Sequence, residues 1–247
     1  MWEVRVTPAG DFDNHPHDHK LIRVEPLSAA MGAEIVGVRL PEMSDAAFEE
    51  LKQALYRHKM IFLRDQHLTH AEHEAFAARL GPFAVDAYTQ GVPGHREVHP
   101  IIKEADTNVP SLFGGGWHTD SPFLEEPPAI TTLRAVEIPP FGGDTSWANC
   151  ALAFRHLSRT YQDMLRPLRV HMSARNNYLT QSVLMDKPIV DFLVAHCTQH
   201  AFTCRLRWEP GMVAMWDNRA AMHLGPNDYD GYRREMYRTT TAGTKPV

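Results

Sequence analysis

The 247-residue sequence predicts a mainly β protein with flanking helices, a double-stranded β-helix of the jelly-roll, cupin-like kind. Three observations lead there. Short segments rich in β-branched and aromatic residues recur along the chain, punctuated by Gly and Pro turns. Only a few amphipathic stretches read as helices, two of them with clear capping residues at their starts. No internal repeat or linker divides the chain, so one domain over residues 21–247 is expected behind a flexible N-terminal segment, 1–20.

In chain order, 21–40 reads as extended, most clearly at Ala33-Glu34-Ile35-Val36. Ser44 is suited to cap a helix over 45–58, whose apolar stripe is Ala47, Phe48, Leu51, Leu55 and Tyr56. Met60-Ile61-Phe62-Leu63 is a short buried strand. Thr69 caps a second helix over 70–80, stopped by Gly81-Pro82. Residues 83–112 show no period and are expected to form a lid loop. Strands follow at 129–138, 145–147, 202–208, 212–216 and 234–241, with 168–172 as a further candidate. Helices are expected at 150–157, 158–165 and 187–197.

Composition narrows the function. A net charge of −5 gives no basic footprint for nucleic acid. No apolar run approaches a membrane span, and the start lacks a signal peptide's apolar core. Cys150, Cys197 and Cys204 show no CxxC spacing, which favours free thiols in a reducing cytoplasm. A small-molecule substrate is expected; assembly into a homo-oligomer, dimer or tetramer, is left open.

Fifteen histidines supply many candidate ligands. His15, His17 and His19 alternate in a polar N-terminal stretch and read as adventitious. His70 and His73 lack the HExxH pattern and read as surface residues, and His196 and His200 as structural. His118 and Asp120 differ, because they follow the glycine run Gly114-Gly115-Gly116 two residues apart. On extended chain such side chains share a face and can reach one metal ion. Adding His223 downstream makes two histidines and one carboxylate, a set that binds Fe(II) and leaves coordination positions open.

These residues sit in blocks that resemble the taurine/2-oxoglutarate dioxygenase family, which includes the aryloxyalkanoate dioxygenases. The blocks are Trp117-His118-Thr119-Asp120, Pro127-Pro128, Gly142-Gly143-Asp144-Thr145, Trp216-Asp217-Asn218, His223, Asp228-Tyr229, Arg234 and Arg238. The resemblance implies Fe(II), 2-oxoglutarate as co-substrate, and O2. It implies that His118, Asp120 and His223 hold the metal, and that Thr145 and Arg234 bind the far carboxylate of 2-oxoglutarate. Arg234 offers a planar fork for that group, and Thr145 a hydroxyl donor. Arg238 takes the position that meets an acidic group on the primary substrate. Asp86 falls where the taurine enzyme has an anion-binding histidine, which argues against taurine itself. Tyr88, in the same stretch, belongs to the chain expected to approach the substrate. Ser121 is expected to lend its backbone to the substrate, and Phe123, Phe113 and Trp216 to wall an apolar pocket. Asp144 and Asn218 are expected to hold turns or orient the site.

The expected reaction is hydroxylation, or hydroxylation followed by bond cleavage, of a small acidic molecule, with release of succinate and CO2. Two alternatives are a metal-binding jelly-roll module without turnover and a zinc-type hydrolase on the same ligands. Compared with the family, the chain is short by some tens of residues between Met172 and Asn177, where family members carry an additional strand and much of an active-site lid.

Overall fold

The computed structural model describes residues 13–16, 18–86, 89–107, 109, 114–169 and 187–246. Strands β1 (Arg23–Pro26), β2 (Ala33–Val36), β3 (Met60–Leu63), β4 (His99–Lys103), β5 (Pro128–Glu137), β8 (Val213–Asp217) and β10 (Arg234–Ala242) build one seven-stranded sheet in the order β1-β2-β3-β8-β5-β10-β4. Strands β6 (Thr145–Asn149), β7 (Thr203–Leu206) and β9 (Ala221–Leu224) make a smaller sheet, β7-β6-β9. Neighbours pair antiparallel except β2 and β3. This is the expected jelly roll.

Between the sheets lies an apolar layer of Phe62, Leu133, Trp147, Trp208, Trp216 and Met236. The three indoles pack edge to face or tilted around Trp147, at centroid distances of 5.6 and 6.4 Å. The opposite face of the large sheet is covered by α1 (Asp45–His58) and α2 (His70–Leu80). Ser44 Oγ accepts from Ala47 N, and the inward stripe of α1 is Ala47, Phe48, Leu51, Ala54, Leu55 and His58. Thr69 and Glu72 satisfy each other's backbone N–H groups in a capping box that starts α2. Helices α3 (Cys150–Arg155), α4 (Arg159–Leu165) and α5 (Lys187–Cys197) follow the smaller sheet's first strand.

In the N-terminal stretch Asn14 is buried: its amide donates to Ser28 O and Gly32 O, and its Oδ1 lies 2.7 Å from His58 Nδ1. Three expectations change. Residues 83–112 are not all loop, since β4 pairs along β10 and Phe83 bridges Thr241. Leu168 and Arg169 are not in a strand, and the rest of the 168–172 candidate lies outside the described residues. His73 is fully buried rather than on the surface, and His70 is half-buried, its Nδ1 2.7 Å from Arg134 Nη2. The reason is that α2 faces polar side chains of the sheet, with His73 Nε2 3.3 Å from Thr239 Oγ1.

Burial, then the Arg134 charge, push His73 down to about 3. The folded protein therefore refuses a proton that the unfolded chain accepts below about pH 6.5. The stability His73 contributes is present above pH 6.5 and lost as pH falls toward 3. Replacing His73 by Gln should flatten this acid loss by up to a few kcal/mol, read as the difference in urea midpoints at pH 7 and pH 4. Parallel pH dependence in both proteins would refute it.

Candidate metal and co-substrate site

The site forms where the chain after the glycine run meets β9. His118 and His223 face each other as an isolated antiparallel bridge. Their backbones exchange both hydrogen bonds, His118 N to His223 O at 3.0 Å and His223 N to His118 O at 2.7 Å. The two imidazoles are thus neighbours by backbone register, with ring centroids 4.1 Å apart. His118 Nδ1 lies 2.8 Å from Gly116 O, so Nδ1 carries the proton and Nε2 presents its lone pair. Asp120 returns to the same point: its Oδ1 is 4.0 Å from His118 Nε2 and 3.9 Å from His223 Nε2.

Asp120 is held by neighbours on the large sheet. Thr131 Oγ1 donates to Asp120 Oδ2 at 2.6 Å and accepts from Asn218 Nδ2 at 2.8 Å. Trp216 Nε1 donates in turn to Asn218 Oδ1. Burial opposes ionisation of Asp120, but His223, Arg238, Thr131 and His118 outweigh it and hold the carboxyl below its usual range. Burial pushes His223 down to about 3, against the pull of Asp120. A carboxylate and neutral imidazoles are the protonation states that ligate a metal. One ligand atom from each of the three residues lies within 4.8 Å of the others, a spacing that fits a shared cation.

A cavity of about 410 Å³ opens beside this cluster. His118, His223, Thr145, Trp216, Arg234 and Arg238 all line it. Arg234 is buried and forms no ion pair among the described residues, and its Nε has no hydrogen-bond partner. An unpaired buried guanidinium is costly and calls for an anion. Its setting requires glycine: Gly143, at φ +65°, would place a Cβ 3.2 Å from Arg234 Nε, and one on Gly142 would meet Asp228 O at 2.5 Å. Thr145 Oγ1 accepts from Trp208 Nε1 at 2.9 Å, which leaves its hydroxyl hydrogen to donate into the cavity.

Arg238 also faces the cavity, but with company. It donates to Asp86 Oδ2 at 2.6 Å and to Asp120 Oδ1 at 3.3 Å. Asp86 is further held by Thr89 N, and lines a second cavity together with Thr89 and His99. Ser121 takes a left-handed φ of 39°, and neither it nor Phe123 is among the cavity-lining residues. Tyr88 and Phe113 lie outside the described residues. Asp144 accepts from Arg205 Nε at 2.7 Å. Sequence reading missed Lys103 and Leu133 as lining residues and gave Tyr229 no role. Lys103 stands in a stretch without periodicity, and nothing local marks it.

A jelly roll carrying two histidines and a carboxylate beside a cationic cavity defines the mononuclear non-haem metal enzymes as a class. The chain belongs to the taurine catabolism dioxygenase TauD, TfdA family, whose model matches residues 23–183 and 171–240. It is 31% identical to an alpha-ketoglutarate-dependent sulfate ester dioxygenase of Pseudomonas putida, over 94% of this chain and 93% of that one. It is 26% identical to an alkylsulfatase of Acinetobacter baylyi, over 90% and 85%. Among solved structures, a taurine dioxygenase from Burkholderia xenovorans superposes with a TM-score of 0.76 at 33% identity, covering 92% of this chain and 93% of that chain. The protein is therefore a 2-oxoglutarate-dependent non-haem iron dioxygenase that uses Fe(II), 2-oxoglutarate and O2. The module without turnover and the hydrolase are set aside. No helix among the described residues is long and apolar enough to cross a membrane.

The alignment with the Pseudomonas relative runs over 285 positions, more than this chain's 247 residues, so that relative carries residues absent here. The two family matches meet at 171–183, where the shortening was expected. That segment lies outside the described residues.

Proposed function

We propose that His118, Asp120 and His223 hold the iron, that Arg234 and Thr145 bind the far carboxylate of 2-oxoglutarate, and that the primary substrate is a small acidic molecule meeting Arg238. The observation that carries this reading is the buried, unpaired Arg234 in the same cavity as the His/Asp/His cluster. Bound iron supplies O2 activation coupled to oxidation of 2-oxoglutarate to succinate and CO2, and one oxygen atom enters an unactivated C–H bond. The protein's part is placement. Arg234 and Thr145 fix one end of the co-substrate, Thr131 and Asn218 keep Asp120 turned inward, and Trp216 with Leu133 gives the cavity apolar walls.

Asp86 refines the substrate class. An incoming anion shares the Arg238 guanidinium with Asp86, so a substrate that also offers a hydrogen-bond donor satisfies both groups. The relatives named for sulfate esters make that class the first to try. Hydroxylating the carbon that bears a sulfate ester oxygen gives an unstable adduct, which collapses to an aldehyde and inorganic sulfate.

The test is succinate release under Fe(II), ascorbate and 2-oxoglutarate, screened over sulfate esters, sulfonates, aryloxy acids, other carboxylates and amino acids. Stimulation by an anionic class is expected. Arg238→Ala should then lower substrate-dependent turnover by at least about tenfold, since losing one partner of a buried charge contact costs about 2–5 kcal/mol. Affinity for 2-oxoglutarate should stay within about twofold. Stimulation by uncharged compounds alone would overturn the acidic-substrate reading and leave the reaction class standing.

A further inference from the structure

Lys103 is the cation in the cavity wall that the mechanism above leaves unused. It is the cross-strand partner of Arg234 in the β4–β10 ladder, so both side chains leave the same face of the sheet. Its side chain is 2% exposed. Nζ donates to Asn227 Oδ1 at 2.7 Å and to Asp230 Oδ1 at 2.6 Å, and sits 4.4 Å from the centroid of the Tyr229 ring. Tyr229 touches both cations, since Arg234 Cζ lies 5.8 Å from the same ring centroid.

Asp230 is exposed, so its ion pair with Lys103 is screened and contributes little to the fold on its own. The ammonium's charge is paired with the Asp230 carboxylate at the exposed end, and it is also attracted to an aromatic face. We propose that Lys103 is a positioning residue of the 2-oxoglutarate clamp, holding the Tyr229 ring so that Tyr229 aims the Arg234 guanidinium into the cavity. This rests on the reading of Arg234 as the clamp. Lys103 itself takes no part in the chemistry.

The measurement is calorimetric binding of 2-oxoglutarate to the Mn(II)-loaded protein without O2, so that affinity is read apart from turnover. Lys103→Gln keeps a donor for Asn227 and Asp230 but removes the charge; it should weaken binding roughly three- to tenfold. Lys103→Arg should stay within about twofold of wild type. In a Tyr229→Ala background, Lys103→Gln should add nothing, because its effect runs through the ring. Wild-type affinity in Lys103→Gln, or full additivity with Tyr229→Ala, overturns the proposal. Should Lys103→Gln not fold, Tyr229→Leu serves: it removes the ring that both cations face and should weaken binding comparably. Unchanged affinity there equally overturns it. An Arg234→Ala control separates the two readings. If Arg234→Ala also binds normally, the clamp assignment itself fails; if it binds weakly while Lys103→Gln does not, only the role of Lys103 falls.

Discussion

Asp120→Ala should yield a folded protein whose Fe(II) affinity and kcat/KM have each fallen by more than about 100-fold. Losing groups that merely orient ligands typically costs 10- to 100-fold, and Asp120 is proposed as a ligand itself. Folding should survive because the backbone here is fixed by the His118–His223 bridge, not by the carboxylate. Removing Asp120 does strip Arg238 of one of its two acidic contacts, leaving Asp86 as its partner. His118→Ala and His223→Ala should behave alike. Equilibrium dialysis of iron with succinate release checks all three. Full iron affinity in His223→Ala would remove the third ligand from the assignment.

Arg234→Ala should raise the apparent KM for 2-oxoglutarate sharply while leaving iron affinity within about twofold. Loss of a buried, charge-assisted carboxylate contact costs about 2–5 kcal/mol, or roughly 30-fold upward. Arg234→Lys should recover only part of the affinity, since an ammonium cannot reproduce the two-pronged contact of a guanidinium. An unchanged dependence of turnover on 2-oxoglutarate would sink the clamp.

The parts of the fold that local rules govern were legible in the sequence. Ser44 and Thr69 cap α1 and α2 as expected, because a capping hydroxyl and its target N–H lie three residues apart. Strands β3 and β8 announce themselves by the apolar runs Met60–Leu63 and 213–216, and β5 by its β-branched residues. β4 was hidden by Pro100, which speaks against a central strand; β4 is the sheet's edge, where a residue without an N–H is tolerated. β9 is four residues long and is defined by pairing with β6, which no local pattern encodes. Within the site, His118 and Asp120 were readable as a pair because their spacing is local. His223, Thr145 and Arg234 needed family spacing, as they arrive from distant strands. The Asp86–Arg238 contact joins residues 152 positions apart, and its consequence for substrate charge appears only when both side chains are placed. The contact of the Asn14 amide with Ser28 O and Gly32 O is likewise long-range and has no local signal.

The paired backbones of His118 and His223 bear on which metal the protein carries. Were His118 and His223 the ligands as proposed, their cradle would be a β-bridge held by two backbone hydrogen bonds that need no metal. Two imidazoles and a carboxylate follow the general order of divalent affinities, in which Fe(II) ranks below Co(II), Ni(II) and Cu(II). Selectivity for iron at the proposed site would then belong to supply, set by the free metal concentrations the surroundings maintain.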